Sequence, residues 1–154
     1  MLTERHLYMM LTKILDAKRG GYSMTIHPQT LYLLPGLFAI CRLKTGSALP
    51  HWLQADHFFS ITSTPEELSL VCIAWPVPSD IQADKDWRCF KLQGPFEFSL
   101  TGILNSITIP LADAGIGIFA VSTYDTDYVL VKEHDLQTAL SVLTEAGHTL
   151  HLDP

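Results

Sequence analysis

GPFEFSLTGILNSITIPLADAGIGIFAVSTYDTDYVLVKEHDLQTALSVLTEAGH, residues 94–148, is the stretch that decides the fold. It reads as loop, helix, strand, turn, strand, helix, with a strand before it at residues 87–92 and another after it. Residues 116–122 mix apolar and small side chains and end in Ser122-Thr123. Asp125-Thr126-Asp127 makes a polar turn, and residues 128–131 form a second short apolar run, so the pair reads as a hairpin. From Glu133 the period changes. Leu136, Leu140 and Leu143 fall at i, i+4 and i+7, one face of an amphipathic helix. Gly147 then supplies a stop, because glycine takes the left-handed conformation without a Cβ clash. The earlier helix is placed over residues 103–114. Ile103, Ile107, Leu111 and Ala114 give it a buried stripe. The β-branched run Ile107-Thr108-Ile109 and Pro110 work against it, so a kink or a tightened turn is expected at Pro110.

The resulting order is β-α-β-β-α-β. Thr101-Gly102-Ile103-Leu104 opens the first helix, Leu111-Ala112-Asp113-Ala114-Gly115-Ile116 closes it, and Val121-Ser122-Thr123-Tyr124-Asp125-Thr126-Asp127-Tyr128 follows. These runs resemble an ACT domain, a regulatory module that binds amino acids. The likeness covers residue 87 to the C-terminus and is nearest to the small bacterial tandem-ACT proteins and the CASTOR-type arginine sensors. It implies an α+β, ferredoxin-like fold: an antiparallel sheet with helices on one face.

The rest of the chain carries a weaker copy of the same pattern. Ser60-Ile61-Thr62-Ser63-Thr64-Pro65-Glu66-Glu67-Leu68-Ser69-Leu70-Val71 aligns without gaps on the segment starting at Ala120, at an offset of 60. Both copies read as strand, acidic turn, strand, and a repeated supersecondary unit implies similar halves packed together. Two ACT-like units follow: a degenerate one at residues 31–86, with room for only a stub of each helix, and a full one at 87–154. Strands are expected at 37–43, 58–62 and 68–74, a short helix starting at 49–53, and one helical turn at 79–85. Residues 1–30 form an N-terminal extension, with an amphipathic helix over 2–19 ended by Gly20-Gly21 and a strand option at 22–26.

Composition narrows the function classes. The chain has 154 residues, 47% of them apolar, enough for a folded core. Net charge is −6 and no cluster of Lys and Arg stands out, which argues against nucleic acid or an anionic membrane as partner. No apolar run is long enough to span a bilayer, and residues 1–6 lack a signal peptide's apolar core, so a cytoplasmic protein is expected. Cys41, Cys72 and Cys89 each sit between apolar residues and read as buried, reduced thiols. The seven histidines are scattered and read as exposed rather than as metal ligands. Neither a cofactor nor a metal is expected. No serine stands in a G-x-S-x-G elbow, and Gly115-Ile116-Gly117 is too short for a dinucleotide loop. No catalytic residue is assigned.

The candidate site is the joint between strand and first helix. A helix start carries unpaired N–H groups and a partial positive charge, which suits the α-carboxylate of an amino acid. Gly102 lets a ligand approach the backbone closely. The candidate set is Ser99, Thr101, Gly102, Ile103, Leu104 and Asn105, with Thr101 read either as the N-cap or as a ligand contact. The resemblance to the arginine sensors implies an acidic residue at the hairpin meeting the ligand's cationic end, and Asp127 matches that position, with Glu67 as its counterpart in the first unit. The expected function is therefore a non-enzymatic regulatory protein that binds a free amino acid. Its implied partners are a second copy of itself, in a homodimer, and a regulated enzyme or signalling protein. The alternative is a ligand-free ACT-type interaction module.

Overall fold

The computed structural model describes residues 27–152. The helix expected over 2–19 and the strand option at 22–26 lie outside the described residues. Within them the chain forms β1 (Thr30–Leu33), β2 (Phe38–Leu43), β3 (Ser60–Ser63), β4 (Leu68–Ile73), β5 (Gln82–Leu92), α1 (Ile103–Asp113), β6 (Ile118–Ser122), β7 (Asp127–Lys132), a 3-10 turn (Glu133–Asp135), α2 (Leu136–Glu145) and β8 (Thr149–Leu152). The expected order from β5 to β8 is present.

All eight strands join one sheet, and β5 is its axis. The first part of β5 pairs antiparallel with β2, from Arg42 opposite Gln82 to Phe38 opposite Trp87. Its second part pairs antiparallel with β1 through Leu31–Leu92, Tyr32–Lys91 and Leu33–Phe90. β7 takes the other edge, from Trp87–Lys132 to Lys91–Tyr128. The register on β2 slips between Phe38 and Ile40. The extra residue lies on β5 near Asp86, whose φ is 63°, and forms a β-bulge. Beside it Lys132 forms an ion pair with Asp84 and stands 4.6 Å over the ring of Trp87.

Two expectations are corrected here. Residues 79–85 form no helical turn: β5 begins at Gln82. Its first residues are polar and mostly exposed, held by the ladder to β2 rather than by burial. Residues 49–53 form no helix either, only a turn in which the Leu53 N–H donates to the Pro50 carbonyl at 3.1 Å. The sheet also departs from the antiparallel expectation, because β8 runs parallel to β1, and β1 lies between β8 and β5. The physical reason is core filling: Leu31 and Leu33 of β1 are buried among Phe90, Leu92, Leu111 and Leu143.

Both helices cover that same face. α1 buries Ser106, Ile107 and Leu111, and α2 buries Leu136, Ala139 and Leu143. Each such leucine contributes about 1.5–3 kcal/mol by leaving water. α2 ends at Gly147 (φ 93°), where the Gly147 and His148 N–H groups donate back to the Thr144 and Leu143 carbonyls at 2.9 and 3.1 Å. On the opposite face Cys89 and Leu130 are covered by Phe38, Val71 and Ile73, so the β2–β4 part folds back over the helix-free side. All three cysteines are buried free thiols in strands, and burial pushes the Cys89 thiol above its usual range.

Pro110 sits inside α1, where it cannot donate to the Ser106 carbonyl four residues back. His148 takes over that role. Its Nδ1 accepts the Gln29 N–H at 3.0 Å, which places the ring proton on Nε2, and Nε2–H donates to the Ser106 carbonyl at 2.9 Å. His148 is 4% exposed, against the exposed histidine expected.

The two hairpins close alike, but at an offset of 59 rather than 60. Ser63 pairs with Leu68 as Ser122 pairs with Asp127. The Thr64 N–H donates to the Glu67 carbonyl at 2.9 Å, and the Thr123 N–H to the Thr126 carbonyl at 2.8 Å. The counterpart of Asp127 is therefore Leu68, not Glu67.

Candidate functional site

The β6–β7 turn is the best-organised loop near the start of α1. Thr123 closes it twice, through its N–H and through its hydroxyl, which donates to the Thr126 carbonyl at 2.9 Å. Thr126 is buried and its hydroxyl donates to the Leu92 carbonyl at 2.8 Å. The segment leaving β5 is fastened to the same turn, since the Phe96 N–H donates to the Asp125 carbonyl at 2.9 Å. Contact is so close at Gly94 that a Cβ there would lie 2.5 Å from the Asp125 carbonyl oxygen and 2.9 Å from Thr126 Cβ.

Asp127 starts β7. The period of two puts its side chain on the helix side of the sheet with Val129 and Val131. It is half-buried, and the Ser122 hydroxyl donates to its Oδ1 at 2.5 Å. Asp127 and Ile103 both line a hollow of about 210 Å³, together with Glu97, Phe98, Leu100 and the turn residues Ser122 to Thr126. Two predicted residues, Ile103 and Asp127, are thus brought to one wall. Ser99, Thr101, Gly102, Leu104 and Asn105 are not on it: Ser99, Thr101 and Asn105 are exposed, and Leu104 packs on the core.

The helix start differs from the expectation in one respect. Gly102, not Thr101, is the N-cap, with φ 82° and ψ 0°, and no side chain caps it among the described residues. A left-handed cap is accessible to glycine and strained for threonine. The first helical bond runs from the Ser106 N–H to the Gly102 carbonyl at 3.0 Å. The N–H groups of Ile103, Leu104 and Asn105 precede it. Nothing lies within 4 Å of the place a Gly102 Cβ would take, so the backbone is open on that side.

Sequence reasoning missed Glu97, Phe98, Tyr124 and Asp125 as wall residues. Phe98 and Tyr124 meet edge to face at 5.1 Å and are 79% and 80% exposed. Their signal was the apolar-acidic run Phe96-Glu97-Phe98 directly before the helix. Glu97, Asp125 and Asp127 give the hollow three carboxylates and no Lys or Arg, a setting for a cationic group. A larger hollow of about 600 Å³ opens beside the same turn and shares Thr123, Asp125 and Thr126 with the first. Among the described residues no group of three or more His, Cys, Asp or Glu is arranged to hold a metal. No helix among them is long and apolar enough to cross a membrane.

Comparison with known proteins places this geometry. The ACT-domain family model matches residues 82–145, and a second model, for an N-terminal domain, matches residues 36–80. The mouse cytosolic arginine sensor for mTORC1 subunit 1 is 27% identical over 152 residues, 92% of this chain and 41% of its own length. The chain thus spans about two fifths of that relative. Among solved structures, protein Atu0741 from Agobacterium tumefaciens is 44% identical with a TM-score of 0.78, over 83% of this chain and 96% of its own. The regulatory subunit of aspartate kinase from Thermus thermophilus, 12% identical with a TM-score of 0.52 over 75% of this chain and 96% of its own, shares the fold alone. With the order from β5 to β8 and both helices on one face of the sheet, residues 82–145 are an ACT domain, and the chain is CASTOR-like.

Proposed function

We propose that this chain is a non-enzymatic regulatory protein whose ligand is a free amino acid, held between the start of α1 and Asp127. The observation that carries the reading is the shared hollow: Ile103, from the helix start, and Asp127, from the hairpin, form parts of one wall. The α-carboxylate meets the open N–H groups after Gly102, and a cationic group meets Asp127. A carboxylate at a helix N-terminus gains about 0.3–1 kcal/mol when exposed and up to about 2 when half-buried. A charge-assisted hydrogen bond to Asp127 adds about 1.5–3 kcal/mol. Offset by the ligand's lost freedom of motion, these gains fit micromolar affinity. The likeness to a cytosolic arginine sensor supports a cytoplasmic amino-acid sensor.

The arrangement we favour is two ACT-like units, a degenerate one at 31–86 and a full one at 87–154, in a homodimer that acts on a regulated enzyme or signalling protein. The exposed pair Phe98 and Tyr124 beside the hollow leaves room for a second copy to close it.

The test is a thermal-shift screen with the twenty amino acids, followed by calorimetry on the wild type and Asp127→Asn. The substitution keeps shape and removes charge, so a cationic ligand should weaken by about tenfold or more, with circular dichroism unchanged. A ligand that binds both proteins equally places the site elsewhere.

A further inference from the structure

The helix-free face of the sheet carries a row of side chains in register. Lys91 on β5 stands opposite Tyr32 on β1 and Tyr128 on β7, and His151 on β8 stands opposite Tyr32. Lys91, Tyr32 and Tyr128 are all half-buried and line the hollow of about 600 Å³ with Leu34, Gln93 and Pro95. The outer flanks of the row are filled: His151 stacks on Tyr32 at 4.8 Å and Phe58 on Tyr128 at 4.1 Å. Lys91, between them, is left facing the open space.

Its charge is the unexplained feature. Three cations among the described residues are half-buried: Arg88, Lys91 and Lys132. Arg88 pairs with Glu133 at 3.2 Å, and Lys132 pairs with Asp84. Lys91 has no ion pair and no side-chain hydrogen bond among the described residues, and neither tyrosine hydroxyl has a hydrogen-bond partner there. A half-buried ammonium without a counter-ion loses hydration and recovers nothing for it. An anion in the hollow would restore that loss, and three ammonium N–H groups and two phenolic O–H groups all present donors to it. Burial pushes the Tyr128 phenol above its ordinary range, so it remains a donor at neutral pH. Two carboxylates bound the space: Asp125 at one rim, and Asp56 in an adjoining hollow of about 370 Å³ that shares Leu34, Lys91 and Tyr128. Their repulsion disfavours a dianion such as a phosphate monoester and leaves a monoanion as the fitting charge.

We propose that this hollow is a second ligand site, for a small monocarboxylate whose charge meets Lys91 between Tyr32 and Tyr128 and whose apolar body lies against Leu34 and Pro95. It lies on the opposite face from Asp127, and neither Asp127 nor Ile103 lines it. The proposal therefore stands independently of the amino-acid site.

The probe is benzoate, with benzamide as its neutral analogue, titrated into the whole protein and followed by the NMR signals of the Lys91 ε-methylene and the Tyr128 ring. Benzoate should shift both signals saturably, and benzamide should bind at least about tenfold more weakly. Lys91→Met should weaken benzoate by about the same factor, and Lys91→Arg, which keeps the charge, should hold it within about threefold. Asp127→Asn should leave benzoate binding unchanged. The proposal is overturned if the wild type shows no saturable shift, if benzamide binds as well as benzoate, or if folded Lys91→Met binds benzoate like the wild type. The first two outcomes need no variant, so they decide even if a substitution disturbs folding.

Discussion

Pro110 and His148 should be energetically coupled although they lie on different elements. The bond from His148 Nε2 to the Ser106 carbonyl replaces the helical bond that Pro110 cannot make. His148→Leu removes that bond and the one from the Gln29 N–H. A buried carbonyl left unpaired costs about 1–3 kcal/mol, and the half-buried bond to Gln29 about 0.5–1.5 kcal/mol net. The single substitution should therefore destabilise by about 2–4 kcal/mol. Pro110→Ala restores an N–H four residues after Ser106, so in that background the carbonyl keeps a partner when His148 is lost. The cost of His148→Leu should then fall by about 1 kcal/mol or more. Repacking around residue 148 is common to both backgrounds and cancels in the cycle. Urea unfolding of the four proteins by far-ultraviolet circular dichroism measures it, provided the m-values agree. Additivity within about 0.5 kcal/mol would refute the compensation.

Gly94 and Cys89 give two further tests of the packing. Gly94→Ala drives a methyl against the Asp125 carbonyl, so it should cost about 1–3 kcal/mol by overpacking and loosen the turn that lines both hollows, read as a lower urea midpoint. Cys89, buried and with its thiol pushed up, should resist iodoacetamide at pH 8 in the folded protein and react once urea unfolds it; mass spectrometry showing rapid labelling of Cys89 in the native state would contradict its burial.

The second half of the fold was legible because its signals are local. Ile107 and Leu111 mark a helical stripe, Leu136 and Leu143 another, and both stripes are buried. What escaped depends on distant partners. β1 is a four-residue run whose neighbours β5 and β8 lie far along the chain, so no local period announces it. Residues 82–85 fall in the stretch 79–85 read as one helical turn, because a mostly polar strand held by its ladder lacks apolar alternation. At the site, Asp127 came from the likeness of its hairpin to the arginine sensors; that it opens β7 rather than lying in the turn is set by the pairing of Ser122 with Asp127. The cap was not readable, since Thr101 and Gly102 differ there through a backbone angle rather than through any pattern of residue types. The row of Tyr32, Lys91 and Tyr128 exists only through strand register, which a single sequence does not display.

The place of β1 in the sheet sets an order on assembly. On the ribosome, the residues of β1 emerge before every other described strand, while β8, which covers one of its edges, emerges last. Gln29 and His148, which meet beside that pair, are 119 residues apart. Closing so long a loop brings a large entropic cost and its contacts come late, so the β1–β8 pairing belongs to the slow end of folding. Until the residues of β8 have emerged, the β8-facing edge of β1 is an open template for other extended chains. A nascent chain stalled before Thr149 would expose that edge, and it is at this stage that the protein is most in need of a chaperone.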